Sequence, residues 1–182
     1  MPTWKSRGLR GSALEEIINY SNEKYKDSGI ALVQKIPTPI KPIEIDNSTR
    51  HITLAYFEQK STVDYIGAVQ GFPICFDAKE CNTDTFSLAN IHEHQFKFMS
   101  DFEAQGGIAF IILSFTHRNE IYYLPFNKIK EFFERMQTGG RKSFKIDELD
   151  KDYLLSSHSG VPVHYLEGLE KDLQSREKNS EN

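Results

Sequence analysis

Asp64 and the triplet Asp77-Ala78-Lys79 stand on either side of a tight-turn candidate, Gln70-Gly71. Two carboxylates and a lysine suit phosphodiester hydrolysis. That reaction needs a cation on the scissile phosphate, an activated water and a group that offsets charge in the transition state. Asp64 and Asp77 offer the hard oxygen ligands that magnesium prefers, and Thr62 adds a hydroxyl or a backbone carbonyl. Lys79 is placed to bind the attacking water or a non-bridging phosphate oxygen. An ordinary salt bridge to either aspartate is its alternative role.

Positioning these groups is the task of a hairpin. Apolar and β-branched residues run through 62–69 and 72–79, so both stretches read as strands. Closed through a two-residue loop at Gln70-Gly71, the hairpin pairs Asp64 with Asp77 and Thr62 with Lys79. Alternation then sets these four on one face, with Val63, Tyr65, Val69, Phe72, Ile74 and Phe76 on the other. Directly opposed residues have Cβ atoms roughly 5 Å apart, and like charges there are destabilising. Such a pair calls for a cation or a shared proton. Glutamine is not favoured where a type I′ turn needs positive φ, and a loop of three or four residues would shift the register. The hairpin would then carry only solvated charges on its rim.

Three further groups could join the site. Glu15 lies in the capping box Ser12-Ala-Leu-Glu15, where it either aims at a metal or satisfies the helix start. Gln95 follows His92 and His94 in the helix after the hairpin. An amide oxygen is a weak metal ligand but a good orienter of water. His94 is a general-base candidate, with a surface role as the alternative. Cys75 shares the acidic face by parity and reads as a small packing residue.

The 182 residues fit one domain with enough apolar content to bury a core. No stretch has the length of a membrane span, and the first ten residues lack a signal-peptide run, so a cytoplasmic protein is expected. Cys75 and Cys81 suit neither a zinc site nor a redox pair, which fits a reduced interior. The formal net charge of −4 argues against a general nucleic-acid coat. Basic residues nevertheless cluster: Lys5, Arg7 and Arg10, then Lys35, Lys41, Arg50 and Lys60, then Arg141, Lys142 and Lys145. These are candidate phosphate contacts. Much of the acidic charge sits at the back, in 147–152 and 167–182, and the latter reads as a flexible tail.

Along the chain, a helix should start near Ala13 and stop at Gly29, and 30–36 alternates like a strand. Pro37-Thr38-Pro39 breaks any ladder. Residues 40–57 read as two extended stretches around Asp46-Asn47-Ser48, free to stand clear of the core. A loop at 82–85 precedes a helix over 88–105, with Ile91, Phe98, Met99 and Phe102 inward. Residues 108–115 read as a strand buried on both faces, 121–125 as a strand and 127–136 as an amphipathic helix. The order predicts an α/β fold, a mixed central sheet flanked by helices, as one domain over 1–166.

An acid followed by acid-x-lysine on a hairpin is the signature of the PD-(D/E)xK nucleases, itself a weak motif. Longer strings narrow it. Arg10-Gly11-x-x-Leu14-Glu15, Lys35-Ile-Pro-Thr-Pro39, Ala55-Tyr-Phe57, Ser61-Thr-Val-Asp-Tyr-Ile-Gly67, Phe76-Asp-Ala-Lys-Glu80, His94-Gln95, Gly106-Gly-Ile-Ala-Phe110 and Gly140-Arg-Lys-Ser143 occur in order. Together they resemble the RecU family of Holliday junction resolvases over about residues 7–165. The resemblance implies a restriction-endonuclease-like fold and a homodimer that cuts four-way DNA junctions with Mg²⁺, Mn²⁺ being a substitute. It puts metal ligands on Thr62, Asp64, Asp77 and Gln95, the transition-state lysine on Lys79, and a protruding stalk at about 37–57. Recombinase and branch-migration proteins are the further partners it suggests. This chain departs from the family in having Asp77 where glutamate is usual, and it nearly lacks the basic N-terminal extension of longer members.

Overall fold

In the computed structural model, which describes residues 12–57 and 62–180, the apolar stripe of Leu14, Ile18 and Tyr25 builds α1 (Ser12–Asp27). Gly29, at φ 68°, turns the chain out of the helix, a conformation that costs glycine little. Strand β1 (Ala31–Lys35) follows. Beyond the prolines, β2 (Ile40–Asp46) and β3 (His51–Phe57) form a two-stranded sheet of their own, almost wholly exposed. This is the expected stalk. Asp46 closes its tip by accepting from the Ser48 N–H and from the Ser48 and Thr49 hydroxyls at 2.6–2.8 Å.

The central hairpin joins β4 (Tyr65–Val69) to β5 (Phe72–Cys81). Gln70 and Gly71 both take positive φ, 48° and 94°, so the loop has two residues despite the glutamine. The register is therefore the expected one, with Tyr65 opposite Phe76 and Val69 opposite Phe72. The expected pairs beyond Tyr65, Asp64 with Asp77 and Thr62 with Lys79, are not part of the ladder. Val63 does not share a face with Tyr65 but packs with Cys75, Met99 and Ile111. The β4 ladder stops at Tyr65, so alternation cannot be carried back to 62 and 63.

Strand β6 (Thr85–Ser87) occupies the end of the anticipated loop and pairs with β9 (Ser143–Lys145), burying Phe86 against Phe144. The helix anticipated over 88–105 is split: a 3-10 turn at Leu88–Asn90 precedes α2 (Glu93–Ala104). Strand β7 (Ile108–Phe115) is buried throughout, and β8 (Glu120–Pro125) and α3 (Phe126–Gln137) follow as expected. Short β10 (Leu154–Leu155) completes a six-stranded sheet of order β1-β4-β5-β7-β8-β10. Only the β5–β7 pairing is parallel, so the sheet is mixed. One face packs α1, and the other packs α2 and α3.

The anticipated flexible tail is instead α4 (Tyr165–Ser180), seated on the α1 face. Its charge hides a buried stripe. Leu169 and Asp172 are inaccessible, and the Tyr123 hydroxyl donates to Asp172 at 2.9 Å. Gly168 lies against the Tyr123 ring so closely that a Cβ would sit 2.5 Å from it. Arg176 ties Asp172 to Glu103 through bonds of 2.8 and 2.6 Å.

Candidate functional site

The site exists because β5 outruns its partner. Beyond Phe76, β5 keeps its pairing with β7 but has lost β4, leaving the Ala78 N–H without a strand neighbour on that side. Asp64, at the bend before β4, fills the notch. Its Oδ2 accepts from the Ala78 N–H at 2.9 Å, and its own N–H donates to Asp77 Oδ1 at 3.0 Å. The two aspartates thus meet across diverging strands, Asp77 held by the Asp64 N–H and Asp64 by the Ala78 N–H.

Asp77 is fully buried, and an unpaired carboxylate there would cost several kcal/mol. Three donors satisfy it: the Asp64 N–H, Gln95 Nε2 at 2.6 Å and Lys79 Nζ at 2.6 Å. Lys79 sits two residues further along the same face, with its ammonium also 3.4 Å from Gln95 Oε1. Helix α2 delivers Gln95 to this face. Its Oε1 accepts from the His92 N–H at 3.1 Å, so the side chain is gripped at both ends. Burial and then the Asp77 charge push the Asp64 carboxyl up to about 6, against the pull of the Ala78 N–H and of Lys79. Two close acids, one of them reluctant to ionise, form an oxygen-rich pocket that gains from a hard divalent cation.

Asp64, Asp77, Lys79 and Gln95 come together as one hydrogen-bonded cluster. Thr62 is half-buried just before it. Glu15 lies on α1, its carboxylate bound by Lys35 at 2.6 Å. Glu80 accepts from the Leu14 N–H at 3.3 Å, which rests the first turn of α1 on β5 beside Lys79. Sequence reasoning missed this use of Glu80, although parity along β5 puts it opposite to Lys79 and toward α1. His94 is half-buried, with its ring stacked on His92 at 5.4 Å. Cys75 is a buried packing residue, its thiol pushed up by burial.

Among the basic candidates, Lys41 is exposed on β2, and Arg50 sits in the stalk turn at φ 58°. Arg141 and Lys142 are exposed, and Arg141 contacts Glu148 at 3.3 Å. Arg10 and Lys60 lie outside the described residues. No helix among the described residues is long and apolar enough to cross a membrane.

Comparison with known proteins extends these observations. The family described as recombination protein U matches residues 9–171. A Holliday junction resolvase RecU from Geobacillus sp. (strain WCH70) is 42% identical over 154 residues, 82% of this chain and 77% of that protein. Its namesake from Pediococcus pentosaceus is 38% identical over 173 residues, 92% of this chain and 86% of the relative. Among solved structures, the Holliday junction resolvase Hjc of Archaeoglobus fulgidus superposes with a TM-score of 0.39 at 12% identity, covering 73% of this chain and 84% of that one, a likeness too distant to identify the fold.

Proposed function

The chain belongs to the RecU family, and from that premise we propose that it is a metal-dependent endonuclease that resolves Holliday junctions. The observation that carries the chemistry is the meeting of half-buried Asp64 with buried Asp77, with a lysine two residues beyond Asp77. Oxygen atoms of Asp64, Asp77, Gln95 and Thr62 form a hard donor set that suits Mg²⁺, with Mn²⁺ a workable substitute. When bound, the ion supplies charge neutralisation at the scissile phosphate and a more acidic water.

The chain's own residues do the rest. Asp77 stays anchored at Oδ1 by the Asp64 N–H, while Gln95 and Lys79 hold Oδ2 and give it up to the cation. For Gln95 to ligate, its amide turns over so that the oxygen replaces the nitrogen. Lys79 moves its hydrogen bonds from Asp77 to a non-bridging phosphate oxygen or to the attacking water, offsetting charge as the transition state forms. Glu15, paired with Lys35 on α1, handles a proton, and Lys35 meets the DNA backbone.

Recognition is of shape. The stalk, with Lys41 and Arg50, enters the junction opening, and Arg10, Lys60, Arg141 and Lys142 hold phosphates. Two chains related by a two-fold axis place two sites on opposite strands of a pseudo-symmetric junction. The setting is nucleoid DNA in the cytoplasm, beside recombinase and branch-migration proteins. The test is a synthetic mobile four-way junction incubated with purified protein, with magnesium or with EDTA. Paired nicks on opposite strands, only with metal, are expected. Equal cutting of linear duplex would point to a nuclease of other DNA structures, and EDTA-insensitive binding without cleavage by any divalent ion to a non-catalytic junction binder.

A further inference from the structure

On the opposite end of α1 from the notch lies a second cluster with ligand chemistry, formed by His158, His164 and Glu167. Each contributes one ligand atom, and these atoms all lie within 4.8 Å of one another. Local backbone brings them together. Ser159 and Gly160 take positive φ, 55° and 76°, and the His158–Val161 bridge folds the chain back on itself. His158 thereby stacks on His164, the ring centroids 4.2 Å apart. Glu167 lies one turn on, in α4, with its N–H on the His164 carbonyl at 3.2 Å. Its Oε1 meets His158 Nε2 at 2.6 Å.

Hydrogen bonding leaves one buried atom of this cluster over. Nδ1 of His164 is out of solvent contact and, among the described residues, has no hydrogen-bond partner. A buried polar atom so placed costs about 1–3 kcal/mol, so a native structure should give it a use. A cation beside the His158–Glu167 pair would supply one. Two imidazoles and a carboxylate are borderline nitrogen and oxygen donors, unlike the all-oxygen set at Asp64 and Asp77, and they select zinc or a similar first-row ion over magnesium. We propose that His158, His164 and Glu167 form a second metal site, specific for Zn²⁺, that clasps the 156–164 loop to the start of α4.

Zinc bonds of about 2.0–2.2 Å bring tetrahedral ligand atoms to roughly 3.4 Å apart, so the three groups close by side-chain rotation. The site is separate from the nuclease cluster. His164 packs edge-on to Tyr25, at 5.7 Å, ten residues along α1 from Glu15, or roughly 15 Å of helix. Its neighbours Tyr165 and Val163 are buried in the core layer that holds α1 to the sheet, so occupancy should be felt as stability.

The experiment is a titration of the metal-stripped full chain with Co²⁺, which reports coordination by its visible spectrum, and then with Zn²⁺. One equivalent should develop the strong absorption of a four-coordinate nitrogen-ligated ion, and Zn²⁺ should bleach it. Excess magnesium should not. At a hundredfold excess over Kd, zinc should raise Tm by about 5–10 °C. His164→Ala should abolish the band and the Tm shift while junction cleavage in magnesium stays intact. Glu167→Gln, a substitution at the helix surface, gives the same readout should the histidine variant misfold. The proposal fails if no such band forms, if it survives His158→Ala with His164→Ala, or if it vanishes instead in Asp64→Asn with Asp77→Asn. The cluster is then a histidine–glutamate hydrogen bond and nothing more.

Discussion

The notch at β5 and the stalk of β2 and β3 are built on opposite plans. In the notch, each polar atom is fixed by packing: Asp77 is inaccessible and takes three donors, and Gln95 is held at both ends. In the stalk, Ile43, Ile45, Ile52, Leu54 and Phe57 are exposed, and two strands alone bury too little to be stable in water. The first region has paid its ordering cost during folding. The second has not, and gains its free energy only from something that covers it. Catalysis and recognition should therefore fail separately.

The largest effect expected follows from that separation. Asp77→Asn should lower junction cleavage by at least ~10³-fold, since it removes both the proposed cation ligand and the anchor of Lys79. Junction affinity in EDTA should be unchanged. A gel-shift series beside the cleavage assay checks both, and a variant that cuts normally would dissolve the notch as the catalytic centre. Glu15→Gln probes the edge of that region. As a proton-handling group it should cost about 10²-fold in single-turnover rate, within the usual range for acid–base residues. An unchanged rate would restrict Glu15 to orienting Lys35.

The stalk answers to a different variable. Lys41→Ala with Arg50→Ala should weaken junction binding and reduce the slope of log K against log salt by about 2, one for each phosphate no longer neutralised. The metal affinity should not move. Equal slopes for variant and parent would mean that the stalk meets DNA through its apolar residues or not at all.

These two regions were also unequally legible in the sequence. The register followed from parity and a two-residue loop, which forms because Gly71 and even Gln70 accept positive φ; the ladder ends at Tyr65, and Asp64 meets Asp77 beyond it through its own N–H. Gln95 carried no such signal. Its role depends on where the face of α2 lands, a long-range fact, and only resemblance to a family selected it. Carrying alternation past the end of β4 misplaced Val63, because strand periodicity holds only while the ladder does. In α4 the difficulty was burial of charge. Asp172 and Arg176 look like solvated residues, yet they pair with Tyr123 and Glu103 against the sheet. Composition counts charges; it does not see their partners.

The smallest effect expected sharpens the contrast by pH. Asp64 titrates at about 6 in the fold against an ordinary 3.8, because burial and Asp77 oppose its charge. A folded pKa raised in this way favours the neutral acid, so its contribution to stability is complete below about pH 4 and is lost as pH rises to about 6. Asp46 in the stalk runs the other way. Hydrogen bonds from Ser48 and Thr49 hold it at about 2, so it contributes above pH 4 and fails only in acid, and solvent at the stalk tip makes that contribution slight. In EDTA, Asp64→Asn should therefore gain in Tm over the parent between pH 4.5 and 7, by about 5 °C. Asp46→Asn should show no such gain. Magnesium should erase the difference at pH 7 by stabilising the parent alone, since a cation lowers the cost of two ionised carboxylates. A gap in Tm that stays flat with pH would mean that Asp64 is already ionised without metal, and that the notch is less starved of positive charge than its geometry says.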